Sequence, residues 1–275
     1  MAIEEYYKVL TDNKKTYLAE WKINNPKAII ILIHGLGEHI RRYDQQIEFF
    51  NDHGFGFISA DLPGHGKSEG KRGMWESMDE LYEVVEGLFK ITKDSYKSIP
   101  IILYGHSMGG NIAAGYALFR KPEMHGLILT GVAINTPKDM PKPLIRFILS
   151  SPRVIKNLVI GSRLNLKSLC NDEEIVKTYI ADPLVHDRIS LGSGAVILNN
   201  AIAIKNATMN NSYPVLIMHG GKDTICFPSG SEVLMNVFAK GTLKIWPGML
   251  HEIHNEPDKR LVWAFTVDWL NDILK

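Results

Sequence analysis

The chain has 275 residues, 45% of them apolar and 22% charged, with a formal net charge of +1. That length and apolar content suit one large α/β domain with room for an insertion, and they argue against disorder. So even a charge balance gives no long-range pull on nucleic acid, and nucleic-acid binding is set aside.

In chain order, 6–10 and 16–23 read as two strands joined at Thr11-Asp12-Asn13-Lys14. Ala28–Ile33 is a continuous aliphatic run, the pattern of a strand buried on both faces of a parallel sheet. It ends in His34-Gly35-Leu36-Gly37-Glu38-His39. Gly35 and Gly37 invite a dinucleotide-binding reading, but Ile40 stands where the third glycine belongs, and no Walker-type loop occurs. The loop is better suited to offering a backbone N–H to a site. A helix over about 43–53 leads to a buried strand over 54–61, followed by the glycine-rich turn 62–68. Residues 78–93 form an amphipathic pattern with Leu81, Val84, Val85 and Leu88 on one face.

The next stretch organises the rest. Ile101-Ile102-Leu103-Tyr104 is rich in β-formers, Gly105-His106-Ser107-Met108-Gly109 follows, and Gly110, Ala113, Ala114, Gly115 and Ala117 come after it. Strand, sharp turn and helix in that order are what a nucleophile elbow requires. Gly126–Thr130 is a further short strand. Strands alternating with helical segments imply right-handed βαβ units and a mostly parallel sheet flanked by helices. Between about 135 and 210 the strand signal fades, four prolines fall between Pro137 and Pro152, and helical patterns run over 172–180 and 195–207. This part reads as a helical cap inserted into a core made of 1–134 and 211–275. The sheet resumes at 214–218 and 242–246, and a helix over about 259–274 closes the chain.

Two cysteines, Cys170 and Cys226, are too few for a disulfide framework and fit a reducing compartment. The segment 1–5 is acidic and polar where a secretory signal is basic and then apolar, and no apolar run reaches the roughly 18 residues of a membrane span. A soluble, cytoplasmic protein is expected.

A serine hydroxyl is a weak nucleophile until a base takes its proton, and that base needs an acid to orient it. In parallel sheets the working residues lie beyond the carboxyl ends of strands. That places Asp223, just past the strand at 214–218, and His251, just past the one at 242–246, beside Ser107. The order serine, aspartate, histidine is the one α/β-hydrolases use. Asp61 is a rival acid, but it precedes the serine; His254 is a rival base three residues beyond His251. His251-Glu252-Ile253-His254 has the wrong spacing for a zinc protease, so no metal or cofactor is expected. The backbone amides of Leu36 and Met108 are the expected oxyanion donors.

Six blocks carry a resemblance: His34–His39 with Arg42-Tyr43; Asp61 with Gly64–Gly70; Gly105–Gly110; Tyr179 with Asp182-Pro183-Leu184; Gly221–Cys226; and Gly248–His254. Together they resemble the monoacylglycerol lipases, serine hydrolases of the α/β-hydrolase fold, over nearly the whole length. The resemblance implies Ser107, Asp223 and His251 as the triad, Leu36 and Met108 as oxyanion donors, and a small amphipathic lipid ester as substrate. It also implies a glycerol pocket at Glu38, Arg42, His106, Tyr179 and His254. Little matches over 135–168, where acyl preference and any transient contact with a membrane or micelle would be set. Leu36 stands where a smaller residue is common, which tightens the site near the carbonyl. A lysophospholipase, a short-chain esterase, a peptidase of the same fold and a non-catalytic binding protein remain as alternatives.

Overall fold

A computed structural model of the chain describes residues 2–11, 14–135, 142–150, 153–162 and 164–275. The strands are β1 (Ala2–Thr11), β2 (Lys14–Lys22), β3 (Ala28–Ile33), β4 (Phe55–Ala60), β5 (Ile101–His106), β6 (Gly126–Thr130), β7 (Val159–Gly161), β8 (Arg188–Ser190), β9 (Val215–Gly220) and β10 (Gly241–Trp246). The helices are α1 (Asp44–Asp52), α2 (Met78–Ser95), α3 (Met108–Phe119), α4 (Lys142–Ser150), α5 (Arg153–Lys156), α6 (Glu173–Ala181), α7 (Leu191–Lys205), α8 (Pro228–Val237) and α9 (Lys259–Ile273). The main sheet has the order β1-β2-β4-β3-β5-β6-β9-β10. β1 and β2 are antiparallel, as are β2 and β4; from β4 to β10 the neighbours are parallel.

Alternation along β3 shows why these strands carry no polar face. Ile29, Ile31 and Ile33 pack with Leu81, Val84, Ile112 and Leu234 of α2, α3 and α8. Ile30 and Leu32 point the other way, to Ile47 and Phe50 of α1 and Val262 and Trp263 of α9. Each such side chain, fully withdrawn from water, contributes roughly 1.5–3 kcal/mol. Helices on both faces are therefore the condition under which a five- or six-residue aliphatic strand is stable, and the parallel ladder puts every strand's carboxyl end on one edge.

The segment between β6 and β9 differs from a purely helical insertion. α4, α5, α6 and α7 are joined there by an antiparallel pair, β7 with β8. Strands of three residues are too short to leave a periodic signal, and β8 is fixed from outside by Ser190 N donating to Gly73 O at 2.8 Å. α7 is tied to α3 through a buried amide: Asn200 Nδ2 donates to Asn111 O and Oδ1, at 3.0 and 2.8 Å, and Tyr82 OH donates to Asn200 Oδ1. Residues 228–237, unassigned from the sequence, form α8, with Pro228 in its first turn, where a missing N–H costs nothing. The expected turn at Asp12-Asn13 and the prolines Pro137, Pro141 and Pro152 lie outside the described residues. Among the described residues no helix is long and apolar enough to cross a membrane.

Candidate active site

Ser107 sits between β5 and α3 with φ 54° and ψ −115°, a conformation that a residue with a side chain seldom adopts. Its neighbours impose it. Ser107 N donates to Thr130 O at 2.9 Å, and Ser107 O accepts from Asn111 N and Ala133 N. The flanking glycines are steric necessities: a Cβ on Gly109 would lie 2.1 Å from Ile33 O, and one on Gly105 would lie 2.4 Å from Gly109 O.

His251, in the loop after β10, stands between the other two residues. Its Nε2 is 2.9 Å from Ser107 Oγ and its Nδ1 is 2.6 Å from Asp223 Oδ2. Asp223 Oδ1 accepts from Ile225 N and Cys226 N at 2.8 and 3.0 Å, which orients the carboxylate from its own turn. Burial pushes the Asp223 carboxyl up, but the His251 charge and the hydrogen bonds from His219 and His251 outweigh it and bring it down to about 2. Burial pulls the His251 imidazole down, and the Asp223 carboxylate more than offsets this, so it ends above its ordinary value. With Nδ1–H given to Asp223, the lone pair on Nε2 faces the serine hydroxyl. That arrangement can accept the serine proton during attack.

Neither rival occupies such a place. Asp61 accepts from Ile40 N and Lys67 N and so ties two turns together. His254 stacks on Tyr43 with ring centroids 4.8 Å apart, and neither of its ring nitrogens has a partner among the described residues. Burial pulls it down to about 3, so it is neutral. Leu36 and Met108 both line the space around Ser107. Met108 opens α3, where a helix leaves its first N–H groups without an internal acceptor.

The five residues expected at a glycerol pocket divide. Glu38, His106 and Tyr179 line the cavity, whereas Arg42 and His254 lie behind it. Glu38 Oε1 accepts from Gly35 N at 2.6 Å and from Tyr43 OH at 2.7 Å, and Oε2 pairs with Arg42. Arg42 also forks onto Glu252 at 2.8 and 2.7 Å, and its guanidinium lies 4.5 Å over the Tyr179 ring. Burial pushes Glu252 up, but the Arg42 charge and hydrogen bonds outweigh it and bring it down to about 2. His106 Nδ1 is 3.1 Å from Thr130 Oγ1; burial and the neighbouring His254 pull it well below its ordinary value. Glu252 is the participant that sequence reasoning missed; its only signal was its place next to His251.

The cavity has a volume of about 350 Å³. Away from Ser107 its wall is aliphatic, with Ile134, Leu169, Ile189, Leu191, Ile197 and Leu198, and most of these come from the segment between β6 and β9. Cys226 also faces it, its thiol pushed up by burial and by the Asp223 charge.

Comparison with known proteins identifies the family. The sequence profile of the family described as serine aminopeptidase, S33, matches residues 24–258. A monoacylglycerol lipase from Mycolicibacterium smegmatis is 29% identical, over 90% of this chain and 89% of that one. The crystal structure of a monoacylglycerol lipase from Paleococcus ferrophilus superposes with a TM-score of 0.85 at 31% identity, covering 94% of this chain and 99% of that one. A soluble variant of monoglyceride lipase from Saccharomyces cerevisiae, solved with a substrate analog, gives 0.86 at 25% identity, over 99% and 96%. A mostly parallel eight-stranded sheet, a serine at the elbow and likeness along almost the full length agree: this chain belongs to the monoacylglycerol lipase family, serine hydrolases of the α/β-hydrolase fold.

Proposed function

We propose that the chain hydrolyses monoacylglycerol to fatty acid and glycerol. Ser107 Oγ attacks the ester carbonyl as His251 Nε2 takes its proton, and Asp223 holds the imidazole in the correct tautomer. The carbonyl oxygen, now negative, is met by the amides of Leu36 and Met108. Collapse expels glycerol, which receives its proton from His251, and water then repeats the sequence to release the acid. The observation that carries this reading is the lining of the cavity: a mostly aliphatic space of about 350 Å³ whose wall includes Ser107 and His251 together with Glu38, His106 and Tyr179. Residues 135–210 are assigned as a cap that walls the acyl chain and excludes water. Glu38, Arg42, His106, Tyr179 and His254 are assigned to the glycerol head, Glu38, His106 and Tyr179 from the cavity wall and Arg42 and His254 from behind it.

The charges disfavour two alternatives. An aminopeptidase needs a free carboxylate for the substrate's ammonium, yet Glu38 and Glu252 are both clamped by Arg42. A lysophospholipase needs a cation for phosphate, and among the described residues lining the cavity there is no Lys or Arg. A cytoplasmic setting fits the two free, buried cysteines. Transient contact of the cap with lipid fits the exposed Leu158, Ile160 and Ile180. The test is a substrate panel on purified protein: monoacylglycerols of several chain lengths, a lysophospholipid, p-nitrophenyl butyrate and an aminoacyl anilide. Monoacylglycerols should give the highest kcat/KM; a faster lysophospholipid or anilide would overturn the reading. A covalent serine-hydrolase probe should label Ser107, and an unlabelled protein would point to a binding module instead.

A further inference from the structure

A second imidazole touches the acid of the site. His219 is the last residue but one of β9, four residues before Asp223, and is fully buried. Its Nε2 lies 2.9 Å from Asp223 Oδ2 and 2.6 Å from Cys226 O, and its Nδ1 lies 2.6 Å from Ser231 Oγ on α8. A carboxylate and a carbonyl can only accept, so Nε2 carries the proton, and in the neutral ring Nδ1 accepts from the Ser231 hydroxyl. Asp223 Oδ2 is also the oxygen that accepts the hydrogen bond from His251 Nδ1–H at 2.6 Å. Two imidazoles from different strand ends thus share one carboxylate oxygen, and Ser231 steers the outer one.

Resting on the assignment of Ser107, His251 and Asp223 as the triad, we propose that His219 is a positioning residue that locks the Asp223 carboxylate and moderates its pull on His251. The locking is geometric. Two backbone amides fix Oδ1, and without His219 the other oxygen would have His251 as its one side-chain donor. The moderation is electrostatic. An oxygen already accepting one hydrogen bond offers less charge to a second donor, so the His251 imidazolium is stabilised less and the ring stays a base nearer neutral pH. The other groups facing His251 are Glu252 in its own loop, Glu38 after β3, His106 at the end of β5 and His254. His219 is hydrogen-bonded to Asp223, Cys226 and Ser231 rather than to these groups, and of them His106 has an electrostatic interaction with it.

Two amides of similar size separate positioning from packing. His219→Gln sets an amide nitrogen where Nε2 was and keeps the donor to Asp223; His219→Asn reaches Ser231 but not Asp223. Both are assayed as full chains with p-nitrophenyl butyrate over pH 5–9, with thermal midpoints measured alongside. The Asn variant should lose roughly 10- to 100-fold in kcat with little change in KM, and its acid limb of kcat/KM should move up by about half a pH unit or more. The Gln variant should stay within about fivefold of the parent, with the limb unmoved. Equal losses in both, or a loss in the Asn variant with an unmoved limb, would reduce His219 to core packing and overturn the proposal. If the Asn variant does not fold, Ser231→Ala serves instead: it should show the same upward displacement, and parental behaviour would overturn the proposal. Retained activity in Ser107→Ala would sink the triad assignment itself, a result independent of the His219 pair.

Discussion

On the sheet side of the cavity, Ser107, His251 and Asp223 are bonded to one another and to backbone, in loops that hang from strands buried on both faces. On the opposite side, α4 to α7 and the β7–β8 pair meet the core through polar ties as well as apolar packing. The ties include Asn200 with Asn111, Ser193 with Trp75, Ser190 with Gly73, His39 with Asp182 and His186 with Gly64. The same segment leaves Leu158, Ile160 and Ile180 exposed. Under the proposed function, the contrast follows from what each side would have to do. Bond-making needs groups held within about half an ångström, which only rigid elements supply, whereas a lipid tail asks mainly for volume and apolar surface. Changes on the sheet side should therefore harm every ester alike, and changes facing the substrate should sort one ester from another.

The largest expected effect tests the sheet side. Ser107→Ala should lose about 10⁴-fold or more in kcat on every ester, and His251→Ala should follow it while His254→Ala does not. A dead His254 variant beside an active His251 variant would reverse the assignment of the base. Next comes Arg42, the strut between the loop after β3 and the loop carrying His251. Arg42→Ala leaves Glu38 and Glu252 buried and uncompensated, and should cost about 3–5 kcal/mol in denaturant unfolding. A loss below about 1 kcal/mol would mean that water replaces the guanidinium.

Acid should act on the same side. His34 and His254 are pulled down to about 3 by burial, and His65 and His106 well below their ordinary value. Below pH 6.5 the unfolded chain takes up protons that these rings refuse in the fold. Stability should then fall by about 1.4 kcal/mol per pH unit for each ring. Asp223 adds stability above its ordinary value of 3.8 that is lost as pH falls toward about 2. His251, shifted upward, works in the opposite sense: its contribution is present at low pH and fades as pH rises through its folded value. The net expectation is a thermal midpoint that drops steeply from pH 6.5 to 5; a flat profile would contradict the burial of these histidines.

Substrate sorting gives smaller numbers. Tyr179→Phe removes a hydroxyl at the cavity wall and should lower kcat/KM for monoacylglycerol by roughly tenfold while sparing p-nitrophenyl butyrate. Glu38→Ala is a less selective probe, because Glu38 also holds Gly35 N beside Ser107, so both substrates should suffer. Equal losses in Tyr179→Phe would remove the glycerol pocket and leave a general esterase. The smallest effect belongs to Cys226, which borders the cavity and takes no part in the proton path. Cys226→Ala should stay within about twofold, and a larger fall would give the thiol a role in holding the Asp223 turn.

Much of the site was legible because its signals are local. The apolar run 28–33 has to be a strand covered on both faces. Gly105 and Gly109 flank Ser107 because a Cβ there collides with backbone, and Asp223 and His251 follow strands whose carboxyl ends must share an edge. What the chain order could not disclose depends on groups brought together from afar. Glu252 meets Arg42 across 210 positions and satisfies a guanidinium that Glu38 alone does not. β7 and β8 are too short to be seen until Gly73 fixes one of them. His219 looks like any strand-end histidine until β9, α8 and the loop after β10 converge. Periodicity and steric exclusion are written into neighbouring residues, whereas the partner of a buried charge is decided by packing, because the cost of leaving it unpaired is incurred only once the interior has closed.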